Sequence, residues 1–221
     1  MKLWQLAPLA LVGCTGNGEL GGTLACDPDG EEERTASCIE ELSLGPGAGF
    51  GALDFPNVIF GEPRGGGVSK GSTDVLSLGR GGVVTVGFDG GVISNGPGPD
   101  FLVFENPFAI GGDITHPFKE LGEVSVSEDG ENWVTFVCTQ DTYPFTGCAG
   151  WNPVLAGSDP TIDSFNPDEA GGDPFDLADV GLESARFVRI RDISNAGDAG
   201  TAGFDLDAVA IINIAPPSRT E

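Results

Sequence analysis

Apolar and polar positions alternate over short stretches of this chain, and no long stretch keeps a helical period. Residues 124–127, Val-Ser-Val-Ser, alternate cleanly, turn at Glu128-Asp129-Gly130-Glu131-Asn132, and return over 133–137 as Trp-Val-Thr-Phe-Val. That pattern predicts a β-hairpin. Its neighbours' alternation places Trp133 as a core anchor. Phe187-Val188-Arg189-Ile190-Arg191 alternates apolar with basic, so one face is expected in the core and the other in water. Strands are also expected over residues 75–78 and 83–88, on either side of Gly79-Arg80-Gly81-Gly82, and over 209–214. Phe101-Leu102-Val103-Phe104 is a continuous apolar run, as for a strand covered on both sides. The 36 glycines and 16 prolines punctuate the chain and disfavour long helices. The expected fold is all-β, a sandwich or jelly roll of about eight strands over residues 48–216, with a tail over 217–221.

The first residues have a different character. Lys2 is followed by an apolar stretch that ends in Leu11-Val12-Gly13-Cys14. This is the layout of a secretory signal: a basic start, a short apolar core and a small residue before the cut. It resembles the lipobox of bacterial lipoproteins, which implies that residues 1–13 are removed and that Cys14 carries lipid. The resemblance implies an exported protein, tethered at the cell envelope by an N-terminal lipid. Thr15, which is not an aspartate, points to the outer membrane. Residues 14–47 are polar, acidic and Gly-rich, and read as a flexible linker with a short disulfide loop.

Of the five cysteines, four remain after Cys14, an even number that suits an oxidising compartment. The close couples Cys26/Cys38 and Cys138/Cys148 are expected to pair locally. With 34 acidic against 10 basic residues, the formal charge of −24 excludes a nucleic-acid partner.

Two separated segments, 124–133 and Ala185-Arg186-Phe187-Val188-Arg189-Ile190, resemble the core of discoidin-type, galactose-binding-like jelly rolls. Residues 71–79, 100–106 and 203–209 resemble a group of bacterial secreted cell-surface proteins. The resemblances imply a fold and an address rather than an activity. Many galactose-binding-like domains hold a structural calcium, and the acidic residues suit one. Asp205 and Asp207 lie two apart in an expected strand, Asp100 and Glu105 bracket the apolar strand, and Asp173 and Asp176 occupy a Gly-rich turn. Carboxylates beside apolar strands need neutralisation, which a hard cation with six to eight oxygen ligands supplies. The competing reading is a solvated acidic rim with turn-forming aspartates.

Catalysis finds no constellation. His116 is the only histidine, and no nucleophile–base pair, zinc motif or phosphate loop is evident. The expectation is a calcium-stabilised, non-catalytic binding or surface-structure module, whose partner is a surface glycan or another surface protein. One alternative is a carbohydrate-binding module using the staple loop, with Tyr143, Trp151 and Arg189 as candidate ligand contacts. Trp151 packing against the staple, and Arg189 pairing with acids, are the competing readings. The other alternative is a glycoside hydrolase using two clustered carboxylates.

Overall fold

A computed structural model of the chain describes residues 24–194 and 203–215. Cys14, the signal segment and the tail lie outside the described residues. Within them every strand pair is antiparallel, turns and coil link the short strands, and the helices are three single-turn 3-10 helices, Asn57–Ile59, Ile110–Gly112 and Leu177–Val180. No described helix is long and apolar enough to cross a membrane.

The largest sheet is built on the alternating strand Phe187–Asp192. It pairs on one side with Val83–Gly87 and on the other with Gly122–Ser127. Cys38–Ser43 extends the sheet beyond Val83–Gly87, while Val134–Thr135 and Cys148–Ala149 both pair with Gly122–Ser127. The two-residue period then sorts the side chains. Val84, Val86, Val124, Val126, Val188 and Ile190 all point inward and are fully buried.

That inner face shares one core with a smaller sheet, in which Phe101–Phe104 lies between Asp173–Phe175 and Ala208–Ile211. Phe101 stacks on Phe175 at 5.1 Å and meets Phe136 edge-on at 6.0 Å. Leu102 and Phe104 project the other way, into a second core with Val154, Ala156, Ala170, Ala208 and Ala210. The uninterrupted apolar run follows: this strand has no wet face.

The expected linker does not extend to residue 47. Cys38–Ser43 is the edge strand of the large sheet, and Ala36 and Ile39 sit in the core. The register shifts between Ile39 and Glu41, a bulge that leaves Glu40 and Glu41 both exposed and hides the alternation. The Cys26–Cys38 disulfide ties the preceding segment to the sheet. Gly87 makes room for it, since a Cβ there would stand 2.4 Å from Cys26 Sγ. The second disulfide joins Cys138 to Cys148. Both couples pair locally.

Trp133 is not a core residue. It is half-buried on the outer face, with the Arg189 guanidinium carbon 3.8 Å above its ring. The inward position of the returning strand belongs to Phe136 instead.

Candidate metal centre

Three carboxylates from distant parts of the chain meet inside the molecule. Glu105 follows the strand Phe101–Phe104, Glu120 follows the short strand Pro117–Phe118, and Asp205 begins the strand Asp205–Leu206. Each offers an oxygen, all within 4.8 Å of one another. The residues are 1%, 7% and 6% exposed. Local structure brings them there. Phe204 and Leu206 are fully buried on either side of Asp205, and Asp205 is registered opposite Ser77. Glu105 Oε1 accepts from the Asp205 N–H at 3.2 Å, and Glu120 Oε1 accepts from the Gly203 N–H at 2.8 Å. Gly203 has φ +104, and a Cβ there would lie 2.6 Å from Asp192 Oδ2, so a side chain would disturb the centre.

Of the remaining oxygens, Asp205 Oδ2 accepts from Asn106 Nδ2 at 3.4 Å, whereas Glu105 Oε2 and Asp205 Oδ1 have no partner. Among the described residues, the buried side-chain oxygens without a hydrogen-bond partner are Glu105 Oε2, Asp205 Oδ1, Asp192 Oδ2, Ser77 Oγ and Ser194 Oγ. All five belong to this end of the molecule. Ser77 lies across from Asp205, Asp192 repels both Asp205 and Glu120, and the Ser194 N–H donates to Asp192 Oδ1. Buried polar atoms are nearly always paired, so orphans gathered at one place need a cause.

The electrostatics agree. Burial, then the charges of Asp205 and Glu120, push the Glu105 carboxyl far above its ordinary range. Burial raises Glu120 to about 7 against the Gly203 N–H, with Asp205 and Asp192 adding repulsion. Burial raises Asp205 to about 6 against the pull of the Ser77 and Asn106 side chains, and Asp192 again pushes upward. Every charge acting on the three is negative. The donor set is all oxygen, hard and anionic, the chemistry that suits calcium rather than a thiolate- or imidazole-seeking metal.

The other acids singled out in the sequence have different work. Asp207 does not join Asp205, because the chain changes partner between them. Asp205–Leu206 pairs with Leu76–Ser77, whereas Ala208–Ile211 pairs with Phe101–Phe104. Both Asp207 oxygens accept from the Arg64 N–H at 3.0 Å, and burial raises its carboxyl to about 7. Asp100 accepts from the Gly96 and Leu177 N–H groups and from Asn213 Nδ2, at 2.7 to 2.8 Å. Asp173 accepts from the backbone of Gly150, Trp151 and Asn152, although burial still raises it to about 8. Asp176 caps the helix Leu177–Val180 through the Ala178 N–H. These four hold backbone in place.

Glu120 and Asp192 were not singled out from the sequence. Nothing in Phe118-Lys119-Glu120-Leu121 marks Glu120. Asp192 did leave a signal: it continues the inward series of Val188 and Ile190, and an acid at an inward position wants a partner.

Of the expected ligand contacts, Tyr143 and Trp151 are brought together and Arg189 is not. Tyr143, Phe145 and Trp151 pack edge-on against one another with centroids 5.6 to 6.3 Å apart, beside the Cys138–Cys148 staple. The Trp151 indole N–H donates to the Cys148 carbonyl at 3.0 Å. Arg189 is elsewhere, on the central strand of the large sheet, paired with Glu41 at 3.1 Å.

No protein-family model and no curated protein matches the chain.

Proposed function

We propose that this chain is an exported, non-catalytic surface module with a galactose-binding-like jelly-roll fold, held at the bacterial envelope by lipid on Cys14 and locked by a structural calcium ion. Glu105, Glu120 and Asp205 are its ligands, with Asp192 and Ser77 beside them. The observation that carries the reading is the meeting of buried Glu105, Glu120 and Asp205, with Glu105 Oε2, Asp205 Oδ1 and the neighbouring Asp192 Oδ2 unpartnered and only negative charges acting on the three. A divalent ion removes the repulsion and satisfies the orphans in one step. It adds a further tie between the segments around residues 105, 120 and 205, which backbone hydrogen bonds already bring together. Two disulfides and an acidic surface suit an oxidising exterior where calcium is available.

A glycoside hydrolase is not favoured, because carboxylates this deeply buried do not meet a sugar ring. The test is thermal unfolding in EDTA and in millimolar calcium. Saturating calcium at a hundredfold excess over its dissociation constant raises stability by about 2.7 kcal/mol. Identical melting curves in the two buffers would remove the ion from the account.

A further inference from the structure

The segment between Glu105 and Glu120 carries a surface that the ion does not explain. It folds as a hairpin, Phe108–Ala109 against Pro117–Phe118. The two-residue period gives it two faces. Ala109 and Pro117 are buried, and the Ala109 N–H donates to the Val68 carbonyl at 2.8 Å. Phe108 and Phe118 take the other face and stack at 5.1 Å, with Phe118 46% exposed. At the tip, Gly111 and Gly112 have φ +65 and +81, and a Cβ on either would meet nothing within 4 Å. The tip therefore stands clear of the molecule. It is held in shape all the same. The Ile110 N–H donates to the His116 carbonyl at 3.1 Å, and the Thr115 N–H and hydroxyl both donate to Asp113 Oδ1.

Single exposed apolar side chains are ordinary, whereas a gathering of them marks an interface. Four of the nine large ones exposed among the described residues, Val68, Ile110, Ile114 and Phe118, lie on or beside this hairpin. The charges around it are unlike the rest of the surface. Lys70 and Lys119, the lysines of the described residues, flank it, as does His116, the sole histidine of the chain, and all three are exposed. Among the described residues no carboxylate pairs with either lysine, although acids outnumber bases 34 to 10. Asp113, fully exposed, sits at the tip between them.

A chain of formal charge −24 repels its own copies wherever acids dominate, and this face is free of that surplus. It carries both signs around an apolar centre, which is the self-complementarity that a two-fold contact requires. The bilayer that would hold the tether lies toward the other end. The chain enters the fold at Leu24, which bridges Ile39 in the row of Val86, Val188 and Val126. Glu120, at the root of the hairpin, precedes Gly122, four residues further along the same strand, or ~14 Å.

We infer that the hairpin is the contact through which two copies of this chain associate, Phe118 against Phe118 across a two-fold axis, with Asp113 facing the cations of the other copy. Its apolar patch, on the order of 300–600 Å², is smaller than the roughly 800 Å² a side of a standard interface, so the pair is micromolar rather than nanomolar. The face exists with or without an ion at its base, so the association does not rest on the calcium reading.

The test is sedimentation velocity of the mature chain, residues 14–221, with Cys14→Ser so that no lipid is attached. Concentrations from about 1 to about 500 µM bracket a micromolar Kd. The protein passes from monomer to dimer across that range. Phe118→Asp, at an exposed position, stays monomeric throughout, with an unchanged melting temperature at the lowest concentration. Asp113→Lys sets like charges face to face and weakens the pair at least tenfold. Leu24→Asp, toward the opposite end, leaves it alone. Flotation with vesicles of phosphatidylcholine, alone or mixed with phosphatidylglycerol, shows no uptake through Phe118. A protein that is monomeric throughout, a dimer that survives Phe118→Asp or Asp113→Lys, or vesicle binding abolished by Phe118→Asp would each overturn the assignment.

Discussion

Replacing Glu120 by Gln reads the acidic centre twice, once without metal and once with it. Glutamine keeps an oxygen for the Gly203 N–H, which now donates to Glu120 Oε1 at 2.8 Å, and removes one charge at nearly constant volume. The carboxylate oxygens lie within 4.8 Å of one another. Two unit charges at that separation repel by about 3.5 kcal/mol at an effective dielectric constant of about 20. Burial and its acidic neighbours push Glu105 upward, and Glu120 and Asp205 are raised to about 7 and about 6, so at about pH 8 without metal Glu120 and Asp205 form a charged pair. In EDTA the variant loses that pair and gains roughly 2–3 kcal/mol, or roughly 5–10 °C for a domain of this size. In millimolar calcium that gain shrinks toward zero, because the ion loses a charged ligand and the wild-type protein keeps the larger share of a binding stabilisation of about 2.7 kcal/mol. Scanning calorimetry of both proteins in both buffers gives the four melting temperatures needed. A variant that gains as much in calcium as in EDTA would refute the reasoning.

Three further outcomes follow from the same geometry. In EDTA, stability falls as pH rises from about 5 to 7.5: the raised pKa values of Glu105, Glu120 and Asp205 mean that the folded state holds protons which the unfolded state, with ordinary values near 4, has released. Calcium flattens this slope without abolishing it, since Asp173 and Asp207 are also raised and contribute with the same sign in either buffer; melting temperatures across pH measure both. Asp100→Ala strands one buried and two half-buried donors and costs on the order of 2–4 kcal/mol in denaturant unfolding, yet leaves the calcium-induced shift intact, because its oxygens are committed to Gly96, Leu177 and Asn213. Replacing Cys138 and Cys148 together by Ala opens a short loop and costs about 2–3 kcal/mol in the same assay, with the calcium effect again unchanged.

The parts of the fold legible in the sequence were those where local pattern and burial coincide. Val188 and Ile190 go inward and Arg189 and Arg191 outward because the strand at 187–192 has one covered face. Phe101–Phe104 reads as continuous because two cores flank it. Cys38–Ser43 was hidden by its bulge, which turns two successive glutamates to solvent and imitates a tether. Trp133 was misplaced because alternation does not say which of two faces a hairpin's first residue takes. At the acidic centre, Glu105 and Asp205 were visible as acids beside apolar strands. Glu120 was not, because only the folding of residues 117–120 against 203–205 brings it there. The separation of Asp207 from Asp205 depends on a change of strand partner, a long-range event with no local mark.

The central claim is that a divalent ion holds Glu105, Glu120 and Asp205 together. A crystal grown in calcium, with diffraction recorded at a wavelength where calcium scatters anomalously, tests it most directly. The account requires a strong anomalous peak with oxygens of all three side chains about 2.3–2.6 Å away. A map with no peak there, and the three carboxyl groups hydrogen-bonded to one another or turned toward water, would contradict it.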